Sequence, residues 1–368
     1  MKSKTSKEFL LNWFETVCPE YIELMKASTH DHLANNTKSP YHLEGDVWTH
    51  TLMVYNTPYG DKYNEVLIAK LLHDIGKPIT RHEKENGRVS FYDHENASMW
   101  MSIPILTRLK HDTPIEFNFH ETLMLINWHD DLNFHGKFHK DNEIDFSLND
   151  KEKSFLNSKY TNPEFYKKMV QLNKADNYGR ETTDDLEYFN LDKFGYLENY
   201  IPYKANNNYT QTKKVVMMIG PSGSGKSHLV NEMLSNKLNN FKVLSFDNEL
   251  NPGKLNYNSV DYSKKNVKKA HDNVVKKMNE YIKNNENVII DMTNLDKETR
   301  RKKLSKFPSN TYMKIAYVFI GGGEVIEDRN SKREGKNIPQ EVLVKQVLNF
   351  KLPSHEEFDK IIFVEGKK

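Results

Sequence analysis

Along the first 200 residues, apolar positions recur at helical spacing. YNEVLIAKLL, ENASMWMSIPILTRLK and HETLMLINWH each place apolar side chains three and four apart, which predicts helices, the second interrupted at Pro104. HEKENGRVSFYDHE breaks the rhythm. It carries an Asn86-Gly87 turn signal beside RVSFY, so a short hairpin or ordered loop is expected. NFHGKFHKDNEIDFSLNDKEK has no period and reads as a long loop. Residues 201–212, IPYKANNNYTQT, are polar and Asn-rich, the signature of an interdomain linker. Beyond them the pattern changes. VVMMI, FKVLSF, NVIID, KIAYVFI and KIIFV alternate with helical segments, which predicts βαβ units on a parallel sheet. The expected organisation is an all-α domain over 1–203, a linker over 204–212 and an α/β domain over 213–368.

A length of 368 residues agrees with two domains. A single cysteine, Cys18, excludes an intramolecular disulfide framework and fits a reducing compartment. No apolar run approaches 18 residues and no basic-then-apolar leader precedes the chain, so a soluble, cytoplasmic protein with no membrane partner is expected. The net charge of +2 hides an asymmetry. Residues 211–368 hold 29 Lys+Arg against 19 Asp+Glu, whereas residues 1–210 hold 24 against 32. A basic half beside an acidic one fits a polyanionic ligand on the basic half, although lysine-rich helices such as KKNVKKAHDNVVKK also read as solvated faces. Histidine is skewed the other way, with 12 of 15 before residue 211.

Among those histidines, His73 and Asp74 are adjacent in LLHDIGKP. Both can face one metal if the helix ends or bends there, and imidazole with carboxylate suits Mn²⁺, Fe²⁺, Co²⁺, Ni²⁺ or Zn²⁺. His50 stands upstream in VWTHTLMVY, and His94 in FYDHENAS, His129 in LINWHD and Asp176 in NKADNYGR follow in order. Lys77, one helical turn after His73, is placed to neutralise a phosphate. His30, His32, His42, His82, His111, His135 and His139 read as structural or solvated, and His120 stays ambiguous. This order and setting resemble the HD-domain metal phosphohydrolases over about residues 40–180, and especially the HD module of some bacterial tRNA nucleotidyltransferases. The resemblance implies one metal on His50, His73, Asp74 and Asp176. It implies a second on His94 and His129, with Asp74 bridging. Two such metals would supply Lewis acidity and an acidified water to a phosphate ester.

In the second half, GPSGSGKS fits G-x-x-x-x-G-K-[ST] between the strand-like VVMMI and the helix-like HLVNEMLS. Gly220, Pro221, Ser222, Gly223, Ser224, Gly225, Lys226 and Ser227 form this loop. Its N–H groups would bind ATP phosphates, Lys226 would reach the β/γ-phosphates and Ser227 would ligate Mg²⁺. Asp247 ends the next apolar run as a candidate general base, with a helix N-cap as the other reading. Asp291 reaches the same edge, followed by Thr293 and Asn294. Arg329 and Arg333, four apart in DRNSKREGKNIP, would share a helix face and close over ATP as a lid.

Together GPSGSGKS, Asp247, DMTNL and RNSKREGKNIP resemble the kinase module of phage-type polynucleotide kinase over about residues 213–365. The resemblance implies Lys226 and Ser227 on ATP·Mg²⁺, Asp247 as base, and Arg329 and Arg333 on ATP phosphates. One departure matters: the family's arginine three residues past the base is Leu250 here, so the acceptor phosphate needs another cation, with Arg300 or Arg301 as candidates. The HD-then-kinase order resembles the HD–polynucleotide kinase fusions. That implies healing of RNA or DNA ends, RNA favoured, in preparation for an RNA ligase. Two other readings remain open: a nucleoside or sugar kinase fused to a nucleotidase, and a nucleotide-sensing regulatory protein.

Overall fold

In the computed structural model the chain divides into two units, Met1–Lys204 and Ala205–Lys368. The described residues are 6–31, 39, 41–132, 137–138, 144–145, 162–182, 193–195, 197, 212–236, 240–252, 260–321, 323–332, 338–354 and 357–364. The linker expected at 204–212 lies outside them, Thr212 excepted, as do Arg333, His32, His135 and His139.

Unit 1 is built on helices α1 (Ser6–Val17), α2 (Pro19–Lys26), α3 (Val47–Asn56), α4 (Asn64–Leu72), α5 (Lys77–Thr80), α6 (His94–Asp112), α7 (Phe119–Trp128) and α8 (Pro163–Tyr178). Side-chain caps start three of them. Asp46 accepts from the Thr49 amide, Asn118 from Glu121 and Asn162 from Phe165, each satisfying an otherwise orphan first-turn donor. From Val66 to Leu72 every side chain of α4 is buried, because α3, α7 and α8 pack around it. Lys70, inside that run, carries its ammonium to Asp61 at 2.7 Å and the Thr57 carbonyl at 3.0 Å.

Two expectations change here. Pro104 does not interrupt α6, which runs through it. Pro104 sits on the exposed face, so water can satisfy the carbonyl one turn back that loses its amide donor. The aperiodic segment after α7 is not wholly loop. Within it β3 (Lys137–Phe138) pairs antiparallel with β4 (Ile144–Asp145). The Asn-Gly hairpin forms as expected. β1 (Arg81–Glu83) pairs antiparallel with β2 (Val89–Phe91), and Gly87 takes φ 76°, a conformation that a side chain would strain.

Unit 2 carries a five-stranded, wholly parallel sheet in the order β6 (Phe241–Ser245), β7 (Asn287–Asp291), β5 (Lys213–Ile219), β8 (Tyr312–Phe319), β9 (Lys360–Val364). Its helices are α9 (Lys226–Asn236), α10 (Phe246–Leu250), α11 (Lys264–Lys283), α12 (Lys297–Leu304), α13 (Gly323–Ser331) and α14 (Gln340–Leu348). Central β5 is buried continuously from Val215 to Ile219, as a strand covered on both faces must be. Val216 and Met218 pack with Val230, Phe241, Ile289 and Phe319 in one core. No helix among the described residues is long and apolar enough to cross a membrane.

The acceptor cation expected at Arg300 is a structural group instead. Arg300 is fully buried and its guanidinium meets both oxygens of Glu357, at 2.8 and 2.9 Å. It also donates to the carbonyls of Leu295 and Lys351, which ties α12 to the segment leading into β9. Removing one partner of a buried pair leaves the other charge unpaired, so Arg300→Met should cost about 3–5 kcal/mol. Denaturant unfolding of the C-terminal unit measures this, and Glu357→Leu added to it should recover most of the loss. An unchanged midpoint for the single variant would refute the structural role.

Candidate functional site

Unit 1 brings the six candidate ligands into one buried space. His73 caps the end of α4, Asp74 follows in the turn, His94 opens α6, His129 follows α7, His50 lies on α3 and Asp176 on α8. Asp93 takes a left-handed φ of 63°, turning the chain from β2 so that His94 begins α6 facing inward. Gly76 permits a close approach. A Cβ there would lie 2.6 Å from the His94 carbonyl and 2.5 Å from the Ser98 amide nitrogen.

Asp74 stands at the centre. Its Oδ2 lies 3.5 Å from His50 Nε2 and 3.3 Å from His73 Nε2. Its Oδ1 lies 3.3 Å from His94 Nε2 and 3.7 Å from His129 Nε2. Asp176 Oδ1 meets His50 Nε2 at 3.0 Å and His73 Nε2 at 3.8 Å. The donors therefore form two groups that share one carboxylate, one oxygen to each.

The tautomers are set from outside. His73, His94 and His129 each direct Nδ1 at the carbonyl three residues back, on Lys70, Phe91 and Ile126, at 3.0, 2.9 and 2.7 Å. A carbonyl only accepts, so each Nδ1 carries the hydrogen and each Nε2 of a neutral ring turns its lone pair inward. His50 Nδ1 lies 2.9 Å from Glu44 Oε1. Inside the space His94 Nε2 and His129 Nε2 are 3.2 Å apart, and His50 Nε2 and His73 Nε2 are 3.4 Å apart. Both Asp74 oxygens are buried; Oδ2 has the Lys77 ammonium beside it at 2.7 Å, and Oδ1 has only imidazole nitrogens around it. Such a set fits divalent transition metals, with outer groups orienting inner ones.

The field in this space favours cations. Burial acts to raise the Asp74 carboxyl, yet His73 and Lys77 hold it well below the usual carboxylate range. Burial likewise opposes Asp176, which His50 and His73 hold well below that range. Burial disfavours charge on His94, yet Asp74 and Asp130 raise it to about 9.

Several neighbours were missed in the sequence. Asp130 places Oδ2 3.5 Å from His94 Nε2, a fourth donor beside the second group that adjacency to His129 could have flagged. Glu44 gave no signal, since it lies in irregular chain. His30 and His42, read as structural or solvated, stand against the site. Their rings stack at 4.0 Å, His42 Nδ1 meets Glu44 at 2.8 Å, and His30 Nε2 lies 3.2 Å from Lys77 Nζ. Lys77 Nζ is 2.7 Å from Asp74 Oδ2, so it is held at the centre by a carboxylate and a histidine.

Unit 2 presents a cleft of about 570 Å³ along the carboxyl edge of its sheet. The loop from Gly220 joins β5 to α9. Gly223 and Gly225 take φ 83° and 99°, and a Cβ at Gly223 would stand 3.3 Å from the Ile326 carbonyl. Lys226 Nζ folds over the loop to the Pro221 carbonyl at 2.7 Å, and the Gly220 amide donates to Thr293 at 3.0 Å. Asn294, at φ 48°, donates its amide to the Met218 carbonyl at 2.7 Å. Lys226, Ser227, Asp247, Asp291 and Arg329 all line the cleft. Asp247 is not the last strand residue: it is the second residue of α10, whose cap is Ser245. Ser245 pairs in register with Asp291, so the two carboxylates share the sheet edge. Arg329 Nη1 approaches the Ser224 carbonyl at 3.5 Å. Lys303, unremarked in the sequence, also lines the cleft, and burial lowers its ammonium to about 8.

A family model described as an AAA domain matches residues 215–353. The matched stretch contains the P-loop and spans most of the C-terminal unit. Such a loop implies ATP and Mg²⁺, and Lys226 and Ser227 occupy the positions that would receive them. A sugar kinase from Janibacter sp. is 20% identical, matches over 41% of this chain and 84% of its own, and has a TM-score of 0.32. A gluconokinase from Sinorhizobium meliloti is 18% identical over 43% of this chain and 85% of its own, with a TM-score of 0.32. A chain of the Pnkp1/Rnl/Hen1 RNA repair complex is 22% identical over 39% of this chain and 46% of its own, with a TM-score of 0.34. Likenesses this remote do not choose an acceptor. A comparison with curated proteins returned no match.

Metal analysis tests the histidine–aspartate centre. His94→Ala or His129→Ala should lower bound metal by about one equivalent, and Asp74→Ala should empty both groups. One equivalent in the metal-replete wild type, unchanged by His94→Ala, would limit the centre to a single ion.

Proposed function

We propose that the chain heals nucleic-acid ends, RNA ends above all. In this reading the C-terminal unit phosphorylates 5′-hydroxyl ends with ATP, and the N-terminal unit is an HD-type phosphohydrolase that removes 2′,3′-cyclic, 2′- or 3′-phosphates. The observation that carries the reading is one chain holding both a P-loop cleft edged by Asp247 and a buried centre in which Asp74 gives one oxygen to each of two imidazole groups. The basic charge of residues 211–368 favours a polyanionic acceptor over a sugar.

In the kinase the loop amides and Lys226 bind and orient the ATP phosphates. Asp247 takes the proton from the 5′-hydroxyl as its oxygen attacks the γ-phosphorus and the bond to ADP breaks. Arg329 offers its guanidinium to the charge on the transferring group, and Arg333 is assigned the same task. Asp291, which lines the same cleft as Ser227, would supply a carboxylate toward Mg²⁺. In the hydrolase His50, His73, Asp74, His94, His129 and Asp176 would hold two divalent metals, which when bound supply Lewis acidity toward a phosphoryl oxygen and acidify a water. Glu44 holds the His50 tautomer, and His30 holds Lys77 beside Asp74, where it can meet phosphate charge.

The two activities should separate. With a 5′-OH, 2′,3′-cyclic-phosphate oligoribonucleotide, ATP, Mg²⁺ and Mn²⁺, Lys226→Ala should abolish 5′-phosphorylation and leave 3′-end release near wild type, and Asp74→Ala should do the reverse. Loss of both in either folded variant would overturn the two-site reading, and phosphorylation of a nucleoside in preference to the oligonucleotide would favour a small-molecule kinase. Asp247→Asn should lower kinase turnover by roughly 100-fold or more with KM for ATP little changed. Retained turnover with altered Mg²⁺ dependence would move the base to Asp291.

A further inference from the structure

Helix α11 carries seven lysines against two acidic residues and returns the chain from β6 to β7. Because β6 and β7 are parallel neighbours, the helix between them runs antiparallel to both. Its amino end therefore stands at the carboxyl edge of the sheet, the edge that carries Asp247 and Asp291. The apolar face is narrow: only Ala270, Val274 and Met278 are buried.

Two features connect this helix to the cleft. His271 lines the cleft, and its ring packs on Phe246 at 4.4 Å between centroids and 36° between planes. Phe246 immediately precedes Asp247 and also lines the cleft. An aromatic wall thus stands beside the proposed general base. Going toward the amino end, Lys268 and Lys264 precede His271 by three and seven residues, so all three stand on one stripe of the helix. Both lysines are exposed, and among the described residues neither has an ion-pair partner. Lys277, on the other flank, is instead paired with Glu249 of α10. From His271 to Lys264 the stripe extends about 10 Å along the axis.

We propose that this stripe is the track of the acceptor strand: a single-stranded nucleic acid whose 5′-terminal nucleoside lies against Phe246 and His271, and whose following phosphates lie along Lys268 and Lys264. The proposal rests on the polynucleotide reading of the kinase and names where its acceptor leaves the cleft. Stacking on an aromatic face tolerates any base, and lysine pairing with phosphate reads charge and not sequence. The site would therefore accept ends of any sequence.

The test compares the wild type with Lys264→Glu/Lys268→Glu, using Lys276→Glu on the other exposed flank of α11 as a charge control. Binding of a labelled 5′-OH single-stranded RNA of about 20 nucleotides is read by fluorescence anisotropy across a salt series. Kinase rates are read on the same RNA. The double variant should raise the Kd and the acceptor KM roughly tenfold and flatten the log–log salt slope by about 1.4, two lysines at about 0.7 each. Its KM for ATP and its turnover at saturating RNA should stay within about twofold of the wild type. Lys264→Arg/Lys268→Arg should behave as the wild type, and Lys276→Glu should change binding little. Wild-type constants in the double variant, or an equal loss in Lys276→Glu, would overturn the track while leaving the kinase reading standing. A wild type that neither binds nor phosphorylates RNA would overturn the polynucleotide reading itself.

Discussion

Imidazole lone pairs and carboxylate oxygens aimed into one buried space repel one another unless positive charge lies among them, and unit 1 is arranged around that repulsion. Its helices α3, α4, α6, α7 and α8 each deliver a donor within or beside their ends, and all are oriented about the buried α4. The outer hydrogen bonds deny each ring the option of turning away. Carbonyls of Lys70, Phe91 and Ile126 hold three rings by Nδ1, and Glu44 faces the fourth. Burial makes the arrangement costly without compensation, and the Lys77 ammonium, 2.7 Å from Asp74 Oδ2, supplies part of it.

Unit 2 handles negative charge by the opposite means. It uses an open cleft lined by the phosphate loop, Lys226 and Arg329, with Asp247 and Asp291 on the same sheet edge. The parallel sheet makes this possible. Every strand ends at one edge, and each following loop can place a group there: the phosphate loop after β5, Asp247 after β6, and Asn294 after β7. Asn294 bonds back to β5 through Met218 while the Gly220 amide reaches Thr293, which couples the phosphate loop to the neighbouring strand end. Arg300 fastens α12 beneath this edge, which explains why so strongly charged a helix buries a guanidinium.

Several roles in the two units belong to residues that hold other residues. Lys77 reaches Asp74 but is also met by His30, whose imidazole burial and the nearby Lys77 keep neutral. Burial brings His42 down to about 4, so it too is a neutral ring and stacks against His30. Lys303 is drawn to Asn294 at 2.6 Å, the same side chain that stitches β7 to β5. Such contacts set the geometry of the charged groups they hold.

The periodicity of the chain was sufficient for the helical half, the parallel α/β half and the Asn86-Gly87 hairpin, because each rests on local rules of spacing and turn chemistry. The phosphate loop was legible for the same reason: its glycines, Lys226 and Ser227 are contiguous, so the motif carries its own geometry. His73 and Asp74 were legible as a pair, and their partners only as an ordered series. Other facts have no local trace. Glu44 and His42 come to the centre from irregular chain, and Arg300 looks in sequence like any basic residue of KETRRKKL, yet it is buried because Glu357, 57 residues away, arrives beside it. Pro104 reads as a break, but its exposed position lets α6 continue. What the sequence determined by itself was element type and contiguous motif. Which charges are buried, and which ring faces which, were decided only by packing, since burial and pairing depend on groups far apart along the chain.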